Sequence, residues 1–396
     1  MVICSFYIQY KNSQMERLMY IYNEHSPWRL LFSEAGEADT SSWPIALLPL
    51  KETLLGLKKT SDLNASRRAQ PDLVKLLMGL DIPAWRISQL LSDHNDWVYR
   101  HCIEQSLEDM QAQGWGEPPC RFCVLSLGSG ARHESLLGPD QDNAMIIETY
   151  PDQRHHEIDT WFQTLAERFT DRLDQAGIPL CRGHVMARWP LWRKSLDQWC
   201  EQMRIWTRRR VVRQVQFSNI LLDFYPVYGD VALCEAFRDC IVEIMPKAGL
   251  FLSEMSDLLD ETPVALDRFG RVKGDGRDAP HAAALNIKRQ GLLPLQSALR
   301  LLSLRQGVRA IDSRGRLSAL AEKRVISDEE AVTLDAALGR LQALLLQSQM
   351  VSLAQGRMVD GWVHQGQINE VNLQLLRQDL LLIQQLQKQA KAQAHA

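Results

Sequence analysis

Asp140 and Asp142 are separated by one residue at the head of an apolar run ending at Ile147, shortly after the turn Leu127-Gly128-Ser129-Gly130. In an extended chain, side chains at i and i+2 project to the same side. The two carboxylates therefore face one another and repel unless a cation lies between them. Mg²⁺ is the expected cation, with Mn²⁺ its substitute, because hard ions prefer carboxylate and phosphate oxygens. Gly128 lets the backbone come close to a phosphate, and the Ser129 hydroxyl can bond a phosphate oxygen. Acids, cation and phosphate cradle together suit metal-assisted transfer of a nucleotidyl group. That reaction needs metal at the α-phosphate, an oriented triphosphate and an acceptor in line.

Asp223 is a further acid whose position calls for a partner. It interrupts the apolar stretch Ile220-Leu221-Leu222 before Phe224, where a carboxylate is costly unless paired or metal-bound. Its two readings are a metal ligand, which we take as the expectation, and a strand-end aspartate bonded to backbone or arginine. Arg132 either grips the triphosphate or pairs with Glu134; the expectation is phosphate, with Glu134 as an organising partner. His133 is expected to face solvent. Lys194, with the basic run Arg204, Arg208, Arg209, Arg210 and Arg213, is a candidate clamp for nucleotide phosphate, although a solvated cationic face has the same spacing. His155-His156-Glu157 opens an amphipathic helix and reads as exposed capping. Cys120 and Cys123 have a metal-like spacing but no second cysteine pair, so they read as core or strand-edge thiols.

The same segments carry a resemblance. The order glycine-serine turn, Arg132, Glu134, then Asp140-Gln141-Asp142-Asn143-Ala144 resembles the signal-transduction nucleotidyltransferases related to PII-protein uridylyltransferases. Gly177 to Met186, Asp223 to Asp230, and Ile287 to Pro294 are similar to later segments of that family, in order. The resemblance implies a small nucleotidyltransferase domain with a helical substrate-binding domain behind it. It also implies a third carboxylate from a later strand. Relatives usually carry glycine at Ala131, arginine at Tyr225 and aspartate at Asn286.

Around these residues the fold class reads as α+β: a small mixed sheet flanked by an N-terminal helical region and a C-terminal helical bundle. Leucines at helical intervals mark Leu47 to Lys59 and Asp72 to Leu80, and one or two longer helices run from Trp85 to Gln113. Gly114 to Pro119 breaks them. Strands are expected at 122–127, 142–147 and 219–224, with helices at 155–176 and 195–213. Everything after Val231 reads as helical, broken by a polar loop at 268–280. Ser327 to Glu330 is a capping box. The expected units are an irregular segment 1–45, a helical region 46–118, a catalytic domain 119–230 and a helical bundle 231–396, the substrate-binding unit.

With 396 residues and a net charge of −3, the chain can bury a large core and carries no positive field that would recruit nucleic acid. It contains no apolar run long enough to span a bilayer and no secretory leader, so the expectation is a soluble cytoplasmic protein. The expected activity moves UMP or AMP from a nucleoside triphosphate to an acceptor, a regulatory protein by family analogy, with a homodimer compatible. The alternative is a catalytically silent nucleotide-binding regulatory module.

Overall fold

The computed structural model describes residues 48–59, 62–208, 219–274 and 284–395. Segment 1–45, the loop around 33–42, and Arg209, Arg210 and Arg213 lie outside them. Helices α1 (Leu48–Lys59), α2 (Leu63–Arg68) and α3 (Gln70–Gly79) lead into one long helix, α4 (Ala84–Ala112). Its apolar face, including Ile87, Leu90, Leu91, Val98, Cys102 and Ile103, is fully buried.

Four strands follow: β1 (Phe122–Leu127), β2 (Asn143–Ile147), β3 (Arg193–Ser195) and β4 (Phe224–Gly229). They form one sheet in the order β3-β2-β1-β4, with β1 antiparallel to both neighbours and β2 parallel to β3. Every residue of β1 and β2 is buried, which explains their continuous apolar sequence. Pro226 is tolerated because β4 is a sheet edge and because the register slips opposite Val124 and Leu125. Helix α5 (His155–Gln175) packs on α4, burying Ile158, Trp161, Phe162, Leu165, Phe169 and Leu173 as one stripe. Helix α6 (Leu196–Arg208) occupies the described part of the expected helix 195–213.

Residues 219–221 are helical rather than extended, and β4 starts at Phe224, so Asp223 stands just before the strand and not within it. The C-terminal half comprises α7 (Val231–Ile244), α8 (Gly249–Asp257), α9 (Leu293–Arg305), α10 (Ser313–Glu322), α11 (Asp328–Ala354) and α12 (Glu370–Ala394). The Ser327–Glu330 capping box is formed. This half is not all helical. Strands β5 (Ala284–Asn286) and β6 (Trp362–His364) pair antiparallel, too short for a period-2 pattern to show in sequence. The expected loop from residue 268 begins instead as a turn closed by Asp267, whose carboxylate accepts from the Phe269 and Arg271 amides.

The two halves are joined through one buried acid. Asp223 is 0 % exposed, and its oxygens accept from Arg132 of the first half (2.5 Å), Arg300 of α9 (2.6 and 3.0 Å) and Arg316 of α10 (2.6 Å). Glu134 reinforces the joint, accepting from Arg132 (2.9 Å), Gln296 (2.7 Å) and the Ser313 amide (2.7 Å). Burial alone would raise the Asp223 carboxyl; Arg300, Arg316 and Arg132 outweigh it and hold it far below the usual carboxylate range. A depressed carboxyl contributes stability above its unfolded-state value, and that stability is lost only as strong acid protonates the folded protein.

Replacing Asp223 by Asn would strand three buried guanidinium groups, and we expect a loss of about 3–5 kcal/mol in urea unfolding at pH 7. Removing Arg309, which pairs with Glu235 and Asp239 on the exposed surface, is expected to cost less than about 1 kcal/mol. Equal losses from both changes would refute the central role of the buried acid.

Candidate nucleotidyl-transfer site

Gln141 sets the geometry of the acids. It is fully buried; its amide donates to the Pro179 carbonyl (2.9 Å), and its side chain donates to the Thr170 (2.8 Å) and Ile178 (2.9 Å) carbonyls. With Gln141 turned inward, alternation sends Asp140 and Asp142 outward together. The Asp142 carbonyl accepts from the Leu127 amide, so the acids sit beside the end of β1. Ligand atoms of Asp140, Asp142 and Cys181 lie within 4.8 Å of one another. Burial, then the neighbouring Asp140 charge, raise the Asp142 carboxyl to about 6, while the Cys181 thiol and the charge of Lys288 pull it down. Two acids brought together without full compensation are what a divalent cation requires, and the two carboxylates, without the soft Cys181 thiol, fit a hard one.

The turn after β1 is a single helical turn, Gly128–Ala131. Gly128 has φ +59°, a conformation that favours glycine, and a Cβ there would lie 3.7 Å from Asp142 Oδ2. Its amide is committed to the Asp223 carbonyl (2.9 Å), so it is not a free phosphate donor. Gly130 is constrained more tightly: a Cβ there would collide with Ser126 Oγ. Ser129 accepts from Ser135 Oγ at 3.1 Å, and both line the cleft beside the acids. That cleft also includes Ser92, Asn95, Asp96 and Tyr99 of α4, and it has room for about 30 Å³, the scale of a single water or ion. A larger hollow of about 690 Å³ lies between Gln113–Pro119 and the start of α5; Asp140, Asp142 and Asp223 do not line it.

Three expected roles are corrected by these positions. Asp223 does not stand with Asp140 and Asp142; both its oxygens are taken by arginines, which leaves no lone pair directed at a metal shared with them. Arg132 is buried and divided between Asp223 and Glu134, so it cannot also grip a triphosphate. Lys194 is paired in register with Ile146, four residues beyond Asp142, roughly 13 Å along the strand, and it does not line the cleft. His133, expected in solvent, is buried at φ +54°, with Nδ1 3.5 Å from Asp93 and Nε2 3.4 Å from Asp96, and Tyr225 packs edge-on against its ring. Asp93, Asp96 and His133 form a second group with metal-compatible spacing. His155 and His156 are exposed as expected, and Cys120 and Cys123 are free thiols.

Sequence reasoning missed the contribution of α4. Its signal was present: Ser88, Ser92, Asp96 and Tyr99 recur at helical spacing on a helix whose neighbouring positions are apolar. Lys288 was visible in the segment Ile287 to Pro294 but could not be placed beside Asp142 without the fold.

With the geometry in place, comparison with known families decides the class. The family described as "Putative nucleotidyltransferase DUF294" matches residues 68–211. "Putative nucleotidyltransferase substrate binding domain" matches residues 249–394. The chain belongs to this nucleotidyltransferase family. The first match contains the glycine-serine turn and both cleft acids; the second contains α9 and α10, which supply Arg300 and Arg316. Asp223 lies between the two matches. A comparison with curated proteins finds no match. Among the described residues, no helix is long and apolar enough to cross a membrane.

A carboxyl raised by its surroundings destabilises the folded state once it ionises: stability falls as pH rises from about 4 through about 6 and stays lower above. Asp142→Asn removes that cost. We expect the variant to be about 2 kcal/mol more stable than the parent at pH 7 and indistinguishable from it near pH 4, allowing for partial exposure of the site. Thermal melts across pH check this, and a variant less stable than the parent at pH 7 would refute it. Gly130→Ala is expected to lower the melting temperature through its clash with Ser126.

Proposed function

We propose that the protein is a divalent-metal-dependent nucleotidyltransferase in which Asp140 and Asp142 hold Mg²⁺, or Mn²⁺, and that it moves UMP or AMP from a nucleoside triphosphate to an acceptor. The observation that carries this reading is the pair of uncompensated acids beside the glycine-serine turn, in a chain of this family. When bound, the metal would polarise the α-phosphate and neutralise charge on the pyrophosphate leaving group. The chain's own groups do the remaining work. Gln141 keeps the two acids co-facing. The Ser129 and Ser135 hydroxyls line the phosphate side, and Lys288 adds positive charge near Asp142. Gly128 keeps side-chain bulk away from the Asp142 carboxylate.

The acceptor we favour is a regulatory protein. The second family match is a substrate-binding domain, and its helices are fastened directly to the catalytic turn through Glu134 and Asp223. A docked acceptor could therefore be held in fixed relation to the acids. With a cleft this narrow, a triphosphate must lie along the mouth of the site or widen it on binding.

The narrow cleft also favours, as the second reading, a catalytically silent nucleotide-binding module. Incubation with each labelled nucleoside triphosphate, Mg²⁺ and cell extract separates the two. Transferred label that falls at least about 100-fold in Asp140→Asn and Asp142→Asn supports the enzyme. Nucleotide binding without transfer or pyrophosphate release supports the silent module. A Lys194→Ala variant is expected to retain transfer, because Lys194 lies outside the cleft.

A further inference from the structure

Cys181 belongs to the segment Gly177 to Met186, whose place in the function the acids alone leave open. Hydrogen bonds lace that segment to the stretch carrying the acids, on both sides of the cysteine. Before it, Gln141 donates from its amide to the Pro179 carbonyl (2.9 Å) and from its side chain to the Ile178 carbonyl (2.9 Å). After it, the Asn143 amide donates to the Val185 carbonyl (3.0 Å), and the Asn143 side-chain oxygen accepts from the Ala187 amide (2.8 Å). The His184 amide donates to the Cys181 carbonyl (3.1 Å) and closes a turn, with His184 in the left-handed region at φ +59°. The thiol is therefore held against the acids by Gln141 and Asn143, the two residues that flank Asp142.

The Cys181 sulfur, an Asp140 oxygen and an Asp142 oxygen lie within 4.8 Å of one another. Ligands around a tetrahedral zinc stand about 3.5 Å apart, so side-chain movement on the order of 1 Å gathers the three. The group grades from buried Cys181 through half-buried Asp142 to exposed Asp140, so an ion can enter from the solvent side. A second observation calls for a polar occupant beside the acids. Ser92 is 1 % exposed and lines the ion-sized cleft that both acids line, and its hydroxyl has no hydrogen-bond partner among the described residues. Hard ions such as Mg²⁺ bind carboxylates and pass over sulfur, whereas Zn²⁺ accepts both.

We propose that Cys181 gives the cation site a second, zinc-selective mode. Mg²⁺ or Mn²⁺ rests on Asp140 and Asp142 alone. Zn²⁺ takes both carboxylates and the sulfur, and the thiol passes its proton to water as the sulfur–metal bond forms. This rests on the reading of Asp140 and Asp142 as metal ligands given above. Octahedral Mg²⁺ on two carboxylates keeps several positions for phosphate oxygens and water, whereas tetrahedral Zn²⁺ on three protein ligands keeps one. Zinc therefore competes with the hard ion and holds the site in a form with too few open positions to grip a triphosphate.

The test is displacement of Mn²⁺ from the full chain by Zn²⁺, followed by electron paramagnetic resonance without nucleotide. Cys181→Ser is expected to bind Mn²⁺ within about twofold of the parent and to need at least about 10-fold more Zn²⁺ to release it. Circular dichroism checks that the variant is folded. The unaltered protein gives a second readout that needs no substitution: X-ray absorption of the zinc that has displaced Mn²⁺ should show a sulfur neighbour at about 2.3 Å. If Zn²⁺ fails to release Mn²⁺, releases it equally from parent and folded variant, or has only oxygen and nitrogen neighbours, the role of Cys181 is overturned and the two-acid reading survives. If Asp140→Asn and Asp142→Asn bind Mn²⁺ like the parent, both readings fall together.

Discussion

A single ionised carboxylate without access to water organises this molecule. Asp223 sits where the chain enters β4, and it is enclosed by guanidinium groups from Arg132, Arg300 and Arg316. A buried charge is tolerated only when its lone pairs are matched, and removing one partner exposes the others to the full desolvation penalty. Because the donors come from the glycine-serine turn and from two helices of the C-terminal half, the halves cannot separate without breaking every one of these charge-assisted hydrogen bonds. Glu134 repeats the arrangement one step closer to the solvent-facing side of the turn. Three arginines against these two acids also leave Arg316 Nη1 without a hydrogen-bond partner among the described residues. The joint is therefore held by charge with little margin in its hydrogen bonding.

Aspartates of this protein occupy two opposed electrostatic environments. Asp223 is over-compensated, and its carboxyl is held far below its ordinary range. Asp142 is under-compensated, and its carboxyl is raised to about 6. The first is structural because its field is already satisfied. The second is chemically available because its field is not. The difference arises from where the chain places its cations: arginines converge behind the turn, while hydroxyls and acids converge in front of it. The turn between these regions positions both, with the Gly128 amide tied to the Asp223 carbonyl and its Cα facing Asp142.

The family match gives this arrangement its context. The nucleotidyltransferase segment and the substrate-binding segment are separate matches, yet the joint between them is built from residues of both and from Asp223 in the interval. The glycine-serine turn and the helices of the second match are thus one packed unit, with Leu137 and Gln349 exchanging backbone and side-chain hydrogen bonds at a further point of contact.

The local alternation Asp140-Gln141-Asp142, the buried strand Phe122–Leu127, the stripe of α5 and the Ser327 cap were legible from sequence, because each depends on neighbours within a turn or a pleat. The sequence also determined that Asp223 must have a strong partner, since an acid in an apolar run cannot remain bare. It could not say which partner. The arginines that answer it lie 77 and 93 residues downstream, and only the packing of α9 and α10 brings them there. The burial of His133, the stripe of α4 over the cleft, and the distance of Lys194 from the acids were likewise decided by tertiary structure. Local periodicity reports which way a side chain points, whereas the charge it meets depends on segments that sequence order does not connect.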